Sequence, residues 1–355
     1  MIKDFFHSEN VTIHHIFSLD NALEEGLNVK SEVFFWGKKV DEKLLEYTFS
    51  HSIKTNYVED GFIRSLGLGS SLSRPLSIVC DSRGIYFDPM QKSDLEHLLS
   101  TYAFDEALLK HAKDLMKMIR KLKISKYNSQ DDVKVKLYAK PGQKIVLIPG
   151  QVDDDMSVKF GAPDMSNMLL IEKVRKKRPN DYLVYKPHPD VLSGNRDGML
   201  DEEEILKYAD QMVINVSIDM MISLSDEVHT MTSLSGFDAL VREKPVYTYG
   251  MPFYAGWGLT IDEKKCERRK RELTLEELAA AAFILYPKYL NPYTKKLTDP
   301  DNVVQILEEY KNSYKKNLLF KYSTVTLGYV LPRIRRFIKF TIKNLSNFYI
   351  HERQN

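Results

Sequence analysis

The second half of the chain alternates short apolar runs with helix-like stretches, and this pattern constrains the fold more than any other feature. The apolar runs have the length of strands and cover residues 145–149, 182–185, 212–216, 227–230 and 245–249. The helix-like stretches between them cover residues 167–177, 201–208, 218–223 and 236–242. Strands that alternate with helices predict a parallel sheet with helices on both faces, which is a Rossmann-like domain.

The first half of the chain shows a similar but less regular pattern. Its strand candidates are residues 12–17, 32–36, 54–58 and 76–80, and its helical patterns are residues 41–49 and 104–123. The polar stretch 125–144 contains a Pro-Gly pair and is typical of a linker. We therefore predict an α/β protein with two Rossmann-like lobes, residues 1–124 and 145–310, and a cleft between them. Ligands of such sheets bind beyond the carboxyl ends of the strands.

Length and composition agree with a folded protein of two domains. The chain has 355 residues, of which 43% are hydrophobic, and this length exceeds what one core usually organises. Its two cysteines, Cys80 and Cys266, are too few for a disulfide framework or a four-cysteine zinc site. The first residues lack the basic and then apolar pattern of a signal peptide, so we expect a cytoplasmic protein.

Charge is distributed unevenly along the chain. Residues 311–355 contain ten Lys and Arg and one Glu, a net charge of +9, so residues 1–310 carry −7 of the total of +2. This distribution disfavours a nucleic-acid partner and indicates one end that meets an anionic partner. Apolar residues recur at helical spacing between Leu331 and Leu345, among five basic residues.

This pattern predicts a basic amphipathic helix in the tail 311–355. No apolar run in it reaches the roughly 18 residues of a membrane-spanning helix. We expect residues 318–345 to lie on an anionic membrane, at the inner face of a bacterial inner membrane. The alternative is a helix that packs against the protein or a partner.

Two motifs of the second half follow neighbouring strands and are suited to a phosphate. Lys186 and His188 stand in a loop stiffened by two prolines, Pro187 and Pro189. The next motif, MTSLSG at residues 231–236, leads into a helix whose first N–H groups bind anions. Each motif alone also fits a surface loop or ordinary N-capping. Together they indicate a ligand that carries a phosphate.

Acidic residues follow one predicted strand in each lobe. Asp153–Asp155 follow the run 145–149, and they suit Mg²⁺ binding, acid-base or nucleophilic chemistry, or a solvated turn. Glu59 and Asp60 precede Gly61 and Arg64 in the first lobe, where they suit an acceptor hydroxyl and an anionic sugar, or a structural turn. No metal-binding constellation stands out, and we expect the basic run 264–271 to be solvated.

Five segments together carry a resemblance to a known family. They are EDGFIRSLGLG, QVDDDMS, YKPHPDV, VHTMTSLSGFDALVREKPV and GMPFYAGWGLT. Over residues 36–262 the chain closely resembles the KpsC-type capsule β-Kdo glycosyltransferases, with room for one such module. The resemblance implies a GT-B fold and the transfer of Kdo from CMP-Kdo, with retention, to a lipid-linked or oligosaccharide acceptor. The motifs are also similar to those of bacterial sialyltransferases, which use another CMP-activated acid sugar.

The resemblance also implies roles for individual residues. Asp155 is the expected nucleophile, and Glu59 or Asp60 the expected group for proton transfer, although these roles are exchangeable. The residues expected to bind the donor, around its phosphate and ribose, are Lys186, His188, His229, Thr230, Thr232, Ser233, Gly236, Gln151 and Arg64. No cofactor is required, and the acidic cluster Asp153–Asp155 leaves a metal open. The alternatives are a transferase for another CMP-activated acid sugar, such as sialic acid, and a non-catalytic scaffold that binds a glycan or a partner.

Overall fold

The computed structural model describes residues 2–6, 11–38, 40–67, 73–126, 128, 135–192, 201–316 and 347–352. The helices in these ranges are α1 Ile2–Phe5, α2 Leu19–Glu24, α3 Glu42–Ser50, α4 Asp94–Thr101, α5 Glu106–Leu122, α6 Met156–Gly161, α7 Asn167–Lys177, α8 Pro189–Leu192, α9 Glu202–Leu206, α10 Ile218–Leu224, α11 Leu234–Val241, α12 Leu275–Ala279, a π-helix at Ala280–Leu285, and α13 Pro300–Lys316. The strands are β1 Val11–Ile16, β2 Glu32–Trp36, β3 Lys54–Asp60, β4 Ser77–Asp81, β5 Ile145–Pro149, β6 Tyr182–Lys186, β7 Gln211–Met212, β8 Glu227–Thr230, β9 Val246–Thr248, β10 Ile261–Asp262, β11 Pro287–Leu290, β12 Leu297–Thr298 and β13 Asn347–Glu352.

The second half of the chain forms a sheet of six parallel strands. Their order is β10-β9-β8-β5-β6-β7, and each pair is parallel. This is the strand order of a Rossmann fold. Strands β6 and β7 are added on one side of β5, and β8, β9 and β10 on the other, so the topological switch point lies between β5 and β8. The predicted parallel sheet of this half is confirmed. Its signal was strong because β6 and β8 are buried along their whole length.

The first sheet is mixed, in contrast to the parallel, Rossmann-like sheet predicted for the first lobe. Its seven strands have the order β1-β13-β2-β3-β4-β11-β12, and β2 and β3 form its one parallel pair in the described chain. A parallel pair needs a long crossover, usually a helix, and α3 supplies one between β2 and β3. The described part of the connection from β3 to β4 contains no helix, and β4 returns antiparallel to β3.

The chain enters the first sheet again after it has completed the second. Strands β11 and β12 fall within residues 145–310, which the sequence assigned to the second lobe, and β11 pairs with β4. Strand β13 falls within the tail 311–355 and lies between β1 and β2. The predicted amphipathic segment 318–345 lies outside the described residues. No helix in the described part of the chain is long and apolar enough to cross a membrane.

A cluster of aromatic side chains joins the two sheets. The ring of Phe62, which follows β3, stacks on Phe253 with ring centroids 4.6 Å apart, and it meets Phe237 of α11 edge-on at 6.1 Å. Tyr86 and Tyr286 pack against the same ring. Aromatic side chains contribute large buried areas and prefer such stacked and edge-to-face contacts. The cluster therefore packs a residue that follows β3 of the first sheet against residues of the second half of the chain.

The basic run 264–271, which was expected to be solvated, also connects the two lobes. Arg268 and Arg269 both pair with Glu96 of α4, at 2.7 and 3.2 Å from their Nε atoms. The Arg269 side chain is only 2% exposed, and its guanidinium donates to the carbonyl oxygens of Pro252 and Ala255. Through Arg269, these bonds connect residues 252–255, which precede β10, to Glu96 of the first lobe.

Candidate active site

A cleft of about 530 Å³ opens between the two sheets. Side chains of both lobes line it, and seven of them were predicted as site residues. These are Glu59, Gln151, Asp155, Lys186, His188, Thr232 and Ser233. The other predicted residues do not line it: Asp60, Arg64, His229, Thr230 and Gly236.

Gln151 and Thr232 are hydrogen-bonded to each other at the topological switch point of the second sheet, between the ends of β5 and β8. Gln151 follows β5, and Thr232 lies just beyond β8. The Gln151 Nε2 donates to Thr232 Oγ1, and the Thr232 N–H donates to Gln151 Oε1, both at 2.9 Å. Ligands of open α/β sheets bind at this point, beyond the carboxyl ends of the strands.

Asp155 presents one carboxylate oxygen to the cleft. It is the N-cap of α6, and its Oδ1 accepts hydrogen bonds from the Ser157 N–H at 2.8 Å and the Ser157 hydroxyl at 2.7 Å. Its Oδ2 accepts no hydrogen bond from any described residue. The cap thus fixes the side chain and leaves one oxygen available for chemistry.

The first and last acids of the run Asp153–Asp155 have different surroundings. Asp153 accepts a hydrogen bond from the Asn167 amide at 2.9 Å, whereas Asp155 caps α6. Burial raises the pKa of Asp153. In the described part of the chain, no group of three or more His, Cys, Asp or Glu has the arrangement of a metal site.

Glu59 is the carboxylate that the first lobe brings to the cleft. Burial raises its pKa to about 7, and the charges of Asp60 and Asp155 act in the same direction. The Asp60 N–H donates to its Oε1 at 3.0 Å. A Cβ atom on Gly37, which has a φ of +59°, would stand 3.2 Å from its Oε2, so a glycine leaves room for this carboxylate.

Asp60 and Arg64 form an ion pair outside the lining of the cleft. The Arg64 Nε lies 2.6 Å from Asp60 Oδ2, and both side chains are largely buried. Strand β3 runs through Asp60, two residues beyond the predicted strand 54–58. Adjacent side chains of a strand point to opposite faces, so Glu59 reaches the cleft and Asp60 does not. The structure thus separates the two candidates for proton transfer.

Lys186 and His188 bring hydrogen-bond donors to the opposite wall. Lys186 ends β6, is 3% exposed, and burial lowers its pKa to about 8. The His188 Nδ1 accepts the Asp190 N–H at 3.1 Å, so a neutral ring carries its proton on Nε2. Burial lowers the pKa of His188 and favours this neutral form.

Three of the predicted donor-binding residues support the loop after β8 instead of lining the cleft. His229 is fully buried, with its ring nitrogens bonded to Glu227 at 2.8 Å and to the Tyr249 hydroxyl at 3.0 Å. The Thr230 hydroxyl accepts the Ser233 N–H. A Cβ on Gly236 would stand 2.2 Å from the Tyr254 hydroxyl oxygen.

Ser233 shapes the start of α11 at the cleft. Its hydroxyl caps the helix by accepting the Ser235 N–H, and its carbonyl accepts a hydrogen bond from the Tyr254 hydroxyl. The close approach of Tyr254 is the reason that position 236 is a glycine. Serine hydroxyls and the first N–H groups of a helix are suited to an anion.

Sequence reasoning missed several charged residues that line the cleft, among them Lys38, Lys126 and Asp238. Lys126 comes from the linker, and its charge acts on the pKa of both Glu59 and His188. Asp238 of α11 has a pKa raised to about 6 by burial. Lys38 pairs with Asp88 at 3.0 Å. Helical spacing could have indicated Asp238, because it lies three residues after Ser235 of the motif 231–236.

Comparison with known proteins identifies the family. A family model described as capsule polysaccharide biosynthesis protein matches residues 31–289. The chain belongs to this family. The resemblance to KpsC-type members is confirmed, because two solved structures of KpsC from Thermosulfurimonas dismutans share the fold with a TM-score of 0.70 and 35% identity.

The two KpsC structures are described as a β-Kdo 2,4 transferase and a β-Kdo 2,7 transferase. The match to the first covers 78% of this chain and 86% of the other, and the match to the second covers 87% and 95%. Two curated relatives are longer than this chain. The capsule polysaccharide modification protein LipA of Neisseria meningitidis serogroup A is 41% identical over 89% of this chain, which spans 44% of LipA. The lipopolysaccharide-processing protein LpsZ of Rhizobium meliloti is 37% identical over 80% of this chain and 65% of its own length.

Proposed function

We propose that this chain is a retaining β-Kdo glycosyltransferase of GT-B type. It transfers Kdo from CMP-Kdo to a lipid-linked or oligosaccharide acceptor in capsule or lipopolysaccharide biosynthesis. One observation carries the proposal: the cleft brings Glu59 of the first lobe to the same space as Asp155, Lys186 and His188 of the second. The two similar KpsC structures are of a β-Kdo 2,4 transferase and a β-Kdo 2,7 transferase, and this similarity supports Kdo as the transferred sugar.

Asp155 is the proposed nucleophile. Its Oδ2 attacks the anomeric carbon of Kdo while the bond from that carbon to the CMP phosphate oxygen breaks, so CMP leaves with the electron pair. The two hydrogen bonds from Ser157 to Oδ1 fix the attacking group. Two successive displacements through a carboxylate adduct give net retention.

Glu59 is the proposed base for the second displacement. It accepts the proton of the acceptor hydroxyl as that oxygen attacks the anomeric carbon and the bond to Asp155 breaks. A pKa of about 7 suits a group that exchanges protons near neutral pH. Asp60 lies beside Glu59 but is paired with Arg64, so we assign it a positioning role.

The donor nucleotide is proposed to lie against the ends of β5, β6 and β8. His188 offers a neutral Nε2–H, and Thr232 and Ser233 stand at the start of α11. These groups suit the phosphate and ribose of CMP. We assign no cofactor to the transfer step.

We also propose where the reaction takes place. The basic amphipathic pattern of residues 318–345 favours attachment to the anionic inner face of a bacterial inner membrane. There the cleft would meet an acceptor linked to lipid.

The test is incubation of the purified protein with CMP-Kdo, with and without a β-Kdo-terminated glycolipid. CMP release and intact-protein mass are followed for the wild type, for Asp155→Asn, and for Asp154→Asn as the matched control. We expect turnover that depends on the acceptor, lost in Asp155→Asn and retained within a few-fold in Asp154→Asn. Asparagine is also a good N-cap, so the fold around α6 is preserved.

The same experiment separates the alternatives. A mass increase by one Kdo residue in the wild type, absent in Asp155→Asn, identifies the nucleophile. Turnover with CMP-sialic acid in place of CMP-Kdo would overturn the choice of donor. A wild-type protein that binds neither nucleotide sugar would be a scaffold, contrary to the proposal.

A further inference from the structure

Lys186 is a buried cation that faces the cleft. It ends β6, its residue is 3% exposed, and its side chain lines the cleft. Among the residues that the structure describes, none forms an ion pair or a hydrogen bond with its Nζ. Buried charges are otherwise paired in proteins, because the loss of hydration is costly. An anion bound in the cleft would supply the missing partner.

Two other cations near the cleft have partners among the described residues. Lys38, which lines the cleft, pairs with Asp88, and Arg64, which lies outside its lining, pairs with Asp60. Their charges are therefore already compensated. His188, two residues after Lys186, lines the same cleft.

A second feature suited to an anion lies on the same cleft. The start of α11 presents the hydroxyls of Ser233 and Ser235. In the sheet, β5 separates β6 from β8, so the backbone at Lys186 and the loop before α11 stand roughly 10 Å apart, two strand spacings. A lysine side chain spans much of that distance, so one ligand in the cleft can contact both Lys186 and the start of α11.

We propose that Lys186 binds the carboxylate of an ulosonic acid sugar, while Ser233 and the start of α11 bind the phosphate of the same donor. The inference rests on the proposed function and refines it. A CMP-activated ulosonic acid carries both anions on one carbon, whereas a nucleotide-activated aldose has no carboxylate there. The hydroxyls and N–H groups at the start of α11 suit the several oxygens of a phosphate. The buried Lys186, which has no partner among the described residues, is then left to compensate the carboxylate. Lys186 thereby selects acid sugars over neutral sugars.

The test compares a ligand with both anions and a ligand with the phosphate alone. The KM for CMP-Kdo and the inhibition constant of CMP are measured for the wild type, Lys186→Met, Lys186→Arg and Ser233→Ala. We expect Lys186→Met to raise the KM for CMP-Kdo by about tenfold or more, as the loss of a charge-assisted contact does. The inhibition constant of CMP should stay within about twofold of the wild-type value. Lys186→Arg should restore part of the loss, and Ser233→Ala should weaken both ligands.

Other results would contradict the assignment. Equal weakening of CMP and CMP-Kdo in Lys186→Met would place the phosphate on Lys186, and no change in either would leave the lysine without a ligand. A wild type to which CMP does not bind would overturn the proposed function itself, which is a different failure.

A measurement without ligand provides an independent check. Methionine has nearly the same length as lysine but no charge, so Lys186→Met should leave the Tm of the free protein unchanged or raise it. A lower Tm would mean that Lys186 has a stabilising partner inside the protein, and it would overturn the proposal.

Discussion

Arg64 holds Asp60 in an ion pair of 2.6 Å on the side of β3 that faces away from the cleft, one residue after Glu59, which faces it. Two isosteric substitutions therefore differ in their effects. Glu59→Gln should abolish most turnover and keep the fold. Asp60→Asn should lower the free energy of unfolding by roughly 3 kcal/mol, because it leaves the Arg64 charge without its partner. Denaturant unfolding and CMP release, measured on both variants, check this; equal stability of the two would contradict it.

Activity should depend on pH through Glu59. It must be ionised to accept a proton, so kcat/KM should rise as the pH passes about 7, and Glu59→Gln should lose this dependence. A pH profile of CMP release between pH 5 and 9 tests this. A profile that keeps its inflection in the variant would assign it to another group.

Stability should change with pH in the opposite direction. The folded pKa of Glu59, about 7, lies above its ordinary value of 4.5, so the folded state binds the proton more tightly. The stabilisation is complete below pH 4.5 and is lost as the pH rises through 7. Glu59→Gln should therefore be more stable than the wild type at pH 8 but similar to it at pH 4.5. Unfolding curves at the two pH values measure the difference.

The bridge between Gln151 and Thr232 should stabilise the second lobe. Gln151→Ala leaves the buried Thr232 N–H without its acceptor, at a cost of about 1–3 kcal/mol. Gln151→Glu keeps that acceptor and is the matched control, and the charge that it adds should raise the KM for an anionic donor. Thermal unfolding and donor kinetics separate the two effects; an alanine variant as stable as the wild type would contradict the first.

Glu96 should be essential for the contact between the lobes. Glu96→Gln leaves Arg269 buried without a counter-charge, which should lower the free energy of unfolding by roughly 3–5 kcal/mol. The exposed pair of Arg83 and Asp94 provides the control, because Arg83→Ala should cost about 1 kcal/mol or less. Denaturant unfolding compares the two variants, and similar losses would refute the role of Glu96.

Membrane binding should depend on the basic residues of the segment 318–345. Each basic residue near an anionic surface contributes about 1 kcal/mol, so changing five of them to Gln should lower vesicle binding by roughly 4,000-fold. These are Arg333, Arg335, Arg336, Lys339 and Lys343. Turnover on a soluble acceptor should persist. Sedimentation with phosphatidylglycerol vesicles tests this, and undiminished binding would contradict it. Substitution is preferable to truncation, which would also remove β13.

The sequence predicted the second sheet well because its strands are continuous apolar runs. The run 145–149 coincides with β5, and the run 227–230 coincides with β8. The ends of these strands also indicated Asp155, Lys186 and Ser233, which line the cleft. Local pattern was sufficient here, because parallel strands bring their carboxyl ends to one edge.

Other features depend on long-range pairing that local pattern does not show. Nothing in residues 287–298 indicates that they join a strand about 200 residues earlier. His229 is one of four consecutive buried residues, and its sequence neighbours do not distinguish a ligand-binding ring from one bonded to Glu227 and Tyr249. Glu59 and Asp60 were separable in principle, because alternation along a strand places them on opposite faces once the strand is extended to Asp60.

The position of β13 sets the order in which the protein can be built. Strands β1 and β2 are not neighbours in the sheet; each pairs with β13, whose residues leave the ribosome more than 300 residues after β2. The second sheet consists of strands from one continuous stretch, and it can fold while synthesis continues. The edge of β2 that pairs with β13 must wait until residues 347–352 have been made, and until then it is open to pairing with other chains. A pause in translation before β13 would therefore prolong the period in which this protein is most prone to aggregate.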